Sequence, residues 1–214
     1  MKSTLRNMTL SLGGIAIGVA ALLGAVNLLT AGPISDAAAR RAREAVAEVL
    51  PPFDNDPMAS AVTIDGCEVY PAMMDGQAAG AAVRVSTMDG FNGLIVVMAG
   101  FDAHGTLTGY RVLEQAETPG LGAQADGWFR TEPHSIVGTS GELVVSKDAT
   151  LSGDDGHSGA SHQAGDDGHS GASHRAATQA VDGITAATIT SRAFLGAVNR
   201  ARRAYHQYQE SCKR

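Results

Sequence analysis

Cysteine is nearly absent from this chain of 214 residues: two residues, Cys67 and Cys212, are too few for a disulfide scaffold, a four-thiolate metal site or an iron–sulfur cluster. Aromatic residues are scarce at 5%, so any core must be built mainly from Val, Leu, Ile and Ala. Charged residues make up only 18% against 44% apolar, a balance that excludes disorder of the whole chain. A net charge of −6 gives no basic surplus, which argues against a nucleic-acid binder. No G-x-G-x-x-G nucleotide fingerprint occurs.

Charge is also missing locally. No charged residue lies between Arg6 and Asp36, and residues 8–31 are nearly all apolar. A membrane-spanning helix needs about 20 such residues, whereas a cleavable signal peptide has an apolar region of about 7–15. The run therefore predicts an uncleaved transmembrane helix over 8–31, preceded by a short terminus, 1–7, which the resemblance described below makes cytoplasmic. Lys2 and Arg6 before the span nearly balance Arg40, Arg41 and Arg43 after it, so the charge rule leaves orientation open. The remainder of the chain is polarised: residues 51–182 carry 5 basic and 18 acidic side chains, and residues 184–214 carry 6 and 1.

Ser35 or Asp36 is placed to cap a second, stalk-like helix that Pro51-Pro52 stops near Leu50. A stalk and linker then occupy 32–57. Beyond them, Ala82–Ser86 alternates as a strand does, and Leu94–Ala99 is a continuous apolar run. Asp102–Gly105 supplies a turn and Thr106–Glu114 returns, so 94–114 reads as a β-hairpin. Leu143–Val145 is a further short strand. Phe194, Val198, Ala201, Tyr205 and Tyr208, spaced 4, 3, 4 and 3, mark one apolar face of a terminal helix, with Arg200, Arg202 and Arg203 mostly elsewhere. The expected fold is α+β: an N-terminal transmembrane helix, then a small domain with a short-stranded sheet and a C-terminal helix. That domain divides into a first part, 58–152, and a closing part, 177–214.

Between those parts lies a segment of another kind. GDDGHSGASHQA at 153–164 recurs as GDDGHSGASHRA at 165–176, a tandem duplication with no large apolar side chain. His157, His162, His169 and His174 stand there beside four aspartates, a set able to hold Zn²⁺ or Ni²⁺ weakly. The composition equally describes a flexible loop, and no metal site is assigned.

The most informative stretch runs from Asp182 through Gly-Ile-Thr185-Ala186-Ala187-Thr188-Ile-Thr190-Ser191 into the terminal helix. Three threonines and a serine at a helix start are ordinarily N-caps. Yet Asp182-x-x-Thr185-Ala186-Ala187-Thr188 resembles the flavinylation motif D-x-x-[ST]-G-A-T, with Ala186 where the motif has Gly. Thr190 and Ser191 continue the pattern. Independently, Asp89-Gly-Phe-Asn-Gly-Leu-Ile95 resembles the G-Y-x-G-P-I strand of FMN-binding domains. The run from Gly109 to Gly122, containing Glu117-Thr118-Pro119-Gly120-Leu121-Gly122, resembles their V-L-E-x-x-E-T-P-G-L-G segment. By itself that last stretch is equally a plain turn around Pro119-Gly120. Together the matches resemble the G subunit of the Rnf electron transport complex, with the C subunit of the sodium-pumping NADH:quinone reductase as a related alternative.

The resemblance implies FMN bound covalently through its phosphate to Thr188. Thr185, Ala186, Ala187, Asp182, Thr190 and Ser191 would surround the link, and Glu117, Thr118, Gly120, Leu121 and Gly122 would approach the flavin. It implies an electron-carrying subunit of an ion-translocating ferredoxin:NAD oxidoreductase that does not turn over either substrate alone. Other complex subunits and a flavin transferase would be its partners. The domain would face the periplasmic side of a bacterial inner membrane, where Cys67 and Cys212 are compatible with a disulfide. Two readings from other classes stand beside this one: a membrane-anchored metal-binding protein built around the His-rich loop, and a structural subunit without flavin.

Overall fold

The structure is a computed structural model that describes residues 2–151 and 178–213. It divides into two compact units, residues 1–42 and 43–214. The duplicated His-rich segment lies outside the described residues.

Helix α1 runs from Lys2 to Val49 and includes Pro33. A proline there removes the N–H that would bond the carbonyl four residues back, but the helix continues. The expected cap is not used: Ser35 Oγ donates back to the Gly32 carbonyl at 2.8 Å, and span and stalk form one helix. In the first unit the apolar side chains from Met8 to Leu29 are exposed, and the helix is long and apolar enough to cross a membrane.

The second unit is built on an antiparallel meander of five strands in sequence order: β1 (Val62–Ile64), β2 (Cys67–Met74), β3 (Gln77–Thr87), β4 (Ile95–Asp102) and β5 (Leu107–Gln115). The predicted hairpin is β4–β5, with Ala99 opposite Tyr110. Strands β1 and β2 are additional to the predicted elements, although the sequence carries their turns. Asp65-Gly66 and Asp75-Gly76 both take positive φ, at 49°, 71° and 52°, 75°, the conformation of a two-residue hairpin turn. After β5 come a 3-10 turn (Gly122–Gln124), a short helix α2 (Ala125–Trp128), strand β6 (Leu143–Val145), helix α3 (Ser146–Leu151), strand β7 (Gln179–Val181) and the long helix α4 (Thr188–Cys212). Strands β6 and β7 pair in parallel as a separate two-stranded sheet.

Alternation along the strands sends Val69, Val83, Val85, Val97, Ala99 and Phe101 to one face, where α4 covers them with Phe194, Leu195, Val198, Ala201 and Tyr205. The few aromatics concentrate here: Phe129 stacks on Phe194 at 5.1 Å, and Phe101 on Tyr205 at 5.4 Å. Arg202 departs from its expected polar face. It is 5% exposed, donates from Nη2 to the Thr139 carbonyl and hydroxyl at 3.1 Å, and lies over the Phe101 ring. Burial pulls its pKa down.

The second face of β4 is buried too, which is why the strand reads as one continuous apolar run. Within this unit Ala45, Val46 and Val49 are buried, and a Cβ at Gly100 would lie 2.1 Å from the Val49 carbonyl oxygen. Only glycine admits that approach. Thr108 Oγ1 donates to the same carbonyl, and Glu48 pairs with Arg111 and Arg130. The stretch expected as a linker is also held. Asn55 bridges the Pro71 carbonyl (2.9 Å) and the Met73 N–H (2.8 Å) on β2. Cys67 is buried in β2 and Cys212 is exposed near the end of α4, both as free thiols, so no disulfide joins them.

Candidate functional site

Two segments far apart in sequence meet at the start of α4. The 117–122 loop leaves β5 and the 186–190 stretch opens the helix, and between them lies a cavity of about 330 Å³. Its walls are Phe91, Glu117, Thr118, Leu121, Gly122, Ala186, Ala187, Thr188, Ile189 and Thr190. The size falls within the range of small-molecule sites.

Of the residues predicted from sequence, eight line this cavity: Glu117, Thr118, Leu121, Gly122, Ala186, Ala187, Thr188 and Thr190. Four do not. The Asp182 carboxylate accepts from Ser146 Oγ at 2.7 Å and its carbonyl accepts from Trp128 Nε1 at 3.0 Å, so it joins β7 to its neighbours. Thr185 is exposed. Ser191 is buried; its Oγ donates to the Ala187 carbonyl (3.0 Å) and accepts from the Ile184 N–H (2.9 Å). Gly120, at φ 79°, turns the chain, and Leu121 N–H closes that turn on the Thr118 carbonyl at 3.2 Å. Gly122 makes room for protein, since a Cβ there would sit 2.5 Å from Glu117 Oε2 and 2.7 Å from Thr190 Oγ1.

Glu117 is the organising group. It is 7% exposed. Thr190 Oγ1 donates to its Oε2 at 2.7 Å, and the Asn92 N–H donates to its Oε1 at 3.1 Å. Asn92 Nδ2 in turn donates to Thr118 Oγ1 at 3.1 Å. One carboxylate thus fastens the 90–93 turn, its own loop and the first turn of α4 together.

Helix α4 begins without a side-chain cap; its N-cap is Ala187, and its first turn holds no acidic residue. Its first intrahelical bond runs from Ser191 N–H to the Ala187 carbonyl, so the N–H groups of Thr188, Ile189 and Thr190 have no intrahelical partner. Capping by Thr188, Thr190 or Ser191 therefore does not account for those hydroxyls. Uncapped N–H groups and the helix dipole favour an anion here. On the next turn, the Arg192 guanidinium hydrogen-bonds Asp148 and holds that carboxyl below its usual range.

Thr188 stands out among the motif's hydroxyls. Thr190 and Ser191 are spent on internal bonds and Thr185 is outside the cavity. Thr188 lines the cavity, and among the described residues its Oγ1 has no hydrogen-bond partner. Ala186, two residues before it, has φ 62°, in the left-handed region where glycine is at ease. Three contributors were not named as site residues from sequence: Phe91, Ile189 and Asn92. A phenylalanine in a G-F-N-G turn between strands was the available signal; Phe91 is 68% exposed while lining the cavity. Among the described residues no group of three or more His, Cys, Asp or Glu is placed to hold a metal ion.

The chain has relatives among known proteins. The FMN-binding domain family matches residues 90–203, more than half of the chain and all of the cavity wall. The G subunit of the ion-translocating oxidoreductase complex of Salmonella typhi is 30% identical over 210 residues, covering 94% of this chain and 91% of that one. The G subunit of the Na⁺-translocating ferredoxin:NAD⁺ oxidoreductase complex of Acetobacterium woodii is 28% identical, covering 89% and 86%. A shorter alignment with the Yersinia pestis G subunit, 32% identical, spans 65% of that protein. Among solved structures, the C subunit of the Na⁺-translocating NADH-quinone reductase of Parabacteroides distasonis is similar at a TM-score of 0.42 and 20% identity, over 75% of this chain and 78% of that one. The chain is a member of the FMN-binding domain family, and within it of the family of G subunits of ion-translocating oxidoreductase complexes.

Proposed function

We propose that this protein is a membrane-anchored flavoprotein subunit that relays electrons within an ion-translocating ferredoxin:NAD oxidoreductase complex, carrying FMN as a phosphoester on Thr188. The observation that carries the attachment point is the state of the four motif hydroxyls: Thr188 alone is both in the cavity and uncommitted among the described residues. The residues fit the group. Phe91, Leu121 and Ile189 give apolar walls for a flat ring, and the N–H groups of Thr188, Ile189 and Thr190, without intrahelical partners, would suit a phosphate on Thr188.

When bound, FMN supplies the redox chemistry. The chain's own part is to bind and orient. The helix start would hold the phosphate, the bonds of Glu117 keep the 117–122 loop against α4, and the exposed Phe91 and Leu121 leave one edge of the site open to a partner. Thr188 is then an attachment point and takes no part in electron transfer. A separate flavin transferase would install the group. An ester keeps the cofactor from being lost on the outer side of an inner membrane, the side this reading gives to the domain.

The test is the intact mass of the full chain co-expressed with a flavin transferase, wild type beside Thr188→Ala, with flavin fluorescence read after denaturation. A gain of one FMN less water, absent from the variant, is the expected result. Equal flavin on Thr188→Ala, or none on wild type, would overturn the proposal.

A further inference from the structure

We infer that the Glu117 carboxylate sets the redox potential and proton demand of the flavin that this cavity holds; the inference rests on the reading of the site given above. Glu117 is buried and lines the cavity. Both its oxygens accept hydrogen bonds, as those of an ionised carboxylate do: one from Thr190, one from Asn92. Two glycines make space for them, since a Cβ at Gly90 would sit 2.5 Å from Oε1 and one at Gly122 2.5 Å from Oε2. Among the described residues, no Lys or Arg forms an ion pair with it.

No cationic side chain among the described residues of the cavity wall offsets that charge. Glu117 is the one ionisable group in the cavity wall among the described residues. Asp89 and Arg192 line a neighbouring hollow that shares Ile189 with this cavity. Asp89 is held by the Thr87 hydroxyl, and Arg192 is paired with Asp148. On the side of α2, Asp126 is paired with Arg130. A buried negative charge acts through a lower dielectric than water and is felt strongly by a neighbour.

Oxidised flavin that takes up two electrons and one proton carries one negative charge on its ring; a second proton from solvent neutralises it. A carboxylate in the wall disfavours the anionic product. It therefore makes reduction harder and draws in the second proton. A like charge shifts an acid in the same direction: the protonated form is favoured.

The experiment is a dithionite titration of the flavin-loaded full chain in detergent, followed by flavin absorbance, for wild type, Glu117→Gln and Thr190→Val. Glu117→Gln removes the charge and keeps the shape; Thr190→Val removes one hydrogen bond and keeps the charge. The midpoint of Glu117→Gln is expected to rise clearly, with Thr190→Val staying nearer wild type. In wild type, two protons are expected to accompany two electrons near neutral pH. Coincident midpoints for wild type and Glu117→Gln, an equal rise in Thr190→Val, or one proton per two electrons in wild type would each overturn the inference. The wild-type proton count decides the matter even where Glu117→Gln fails to fold. Intact mass on the same samples separates this from failure of the underlying reading: a wild-type chain without flavin overturns the role of Thr188 itself.

Discussion

Replacing Ala186 by glycine should stabilise this protein. Ala186 is exposed and sits at φ 62°, a conformation that brings its Cβ against the following carbonyl. That arrangement costs an L-residue with a side chain about 1–2 kcal/mol. Glycine escapes the clash but loses more freedom on folding, which costs about 0.4–1 kcal/mol. The exposed methyl contributes little packing, so the net gain is about 0.5–1 kcal/mol. For a chain of this size that corresponds to a rise in Tm of about 1–4 °C. Ala186→Val should move Tm the other way and further, because a β-branched side chain is least compatible with positive φ. The assay is thermal unfolding of the full chain in detergent, followed by near-ultraviolet circular dichroism of the buried tyrosines and phenylalanines. A fall in Tm for Ala186→Gly, or no change for Ala186→Val, would show that the backbone here is not held as described.

Two further expectations rest on named contacts. Asn199 is buried and bridges both backbone groups of Leu143, accepting from its N–H at 2.9 Å and donating to its carbonyl at 2.7 Å. Asn199→Leu should leave both groups unpaired and cost about 2–4 kcal/mol, seen as a lower urea midpoint. Glu48 is partly desolvated, which raises its pKa, but hydrogen bonds and charge from Arg111 and Arg130 outweigh this and hold the carboxyl below 4.5. A carboxylate with a depressed folded pKa contributes stability that is present above its ordinary value and is lost as pH falls through its folded value. Urea midpoints measured against pH should therefore drop more steeply below 4.5 in wild type than in Glu48→Gln. Parallel acid limbs would refute the role of the pair.

The sequence was most readable where one physical cause acted alone. The spacing of Phe194, Val198, Ala201 and Tyr205 follows helical period, and these side chains are buried on α4. Leu94–Ala99 reads as an apolar run because both faces of β4 are covered. Reading failed where two local signals competed or where a distant partner decided. Ser35 and Asp36 are good caps, yet the apolar helix before them simply continues through Pro33. Arg202 sits on a helix otherwise patterned for burial of apolar groups, and only the fold reveals the Thr139 carbonyl that receives it. At the candidate site, motif resemblance pointed to two segments that line one cavity, but the contacts within them needed geometry. Asp182 and Ser191 belong to the scaffold, Gly122 clears space for Glu117 and Thr190, and Phe91 forms part of the wall.

The order of the elements, with α4 after the meander, also has a consequence for biosynthesis. The apolar face of the meander and one half of the cavity both wait for α4, Thr188–Cys212, before they are complete. Throughout synthesis the strands stand with Val83, Val97 and Phe101 uncovered, a condition in which sheets associate with one another. The Thr188 side chain enters its cavity only when that helix docks. Loss of α4 would therefore remove, in one event, the cover of the apolar sheet face, the core of the domain and one wall of the cavity.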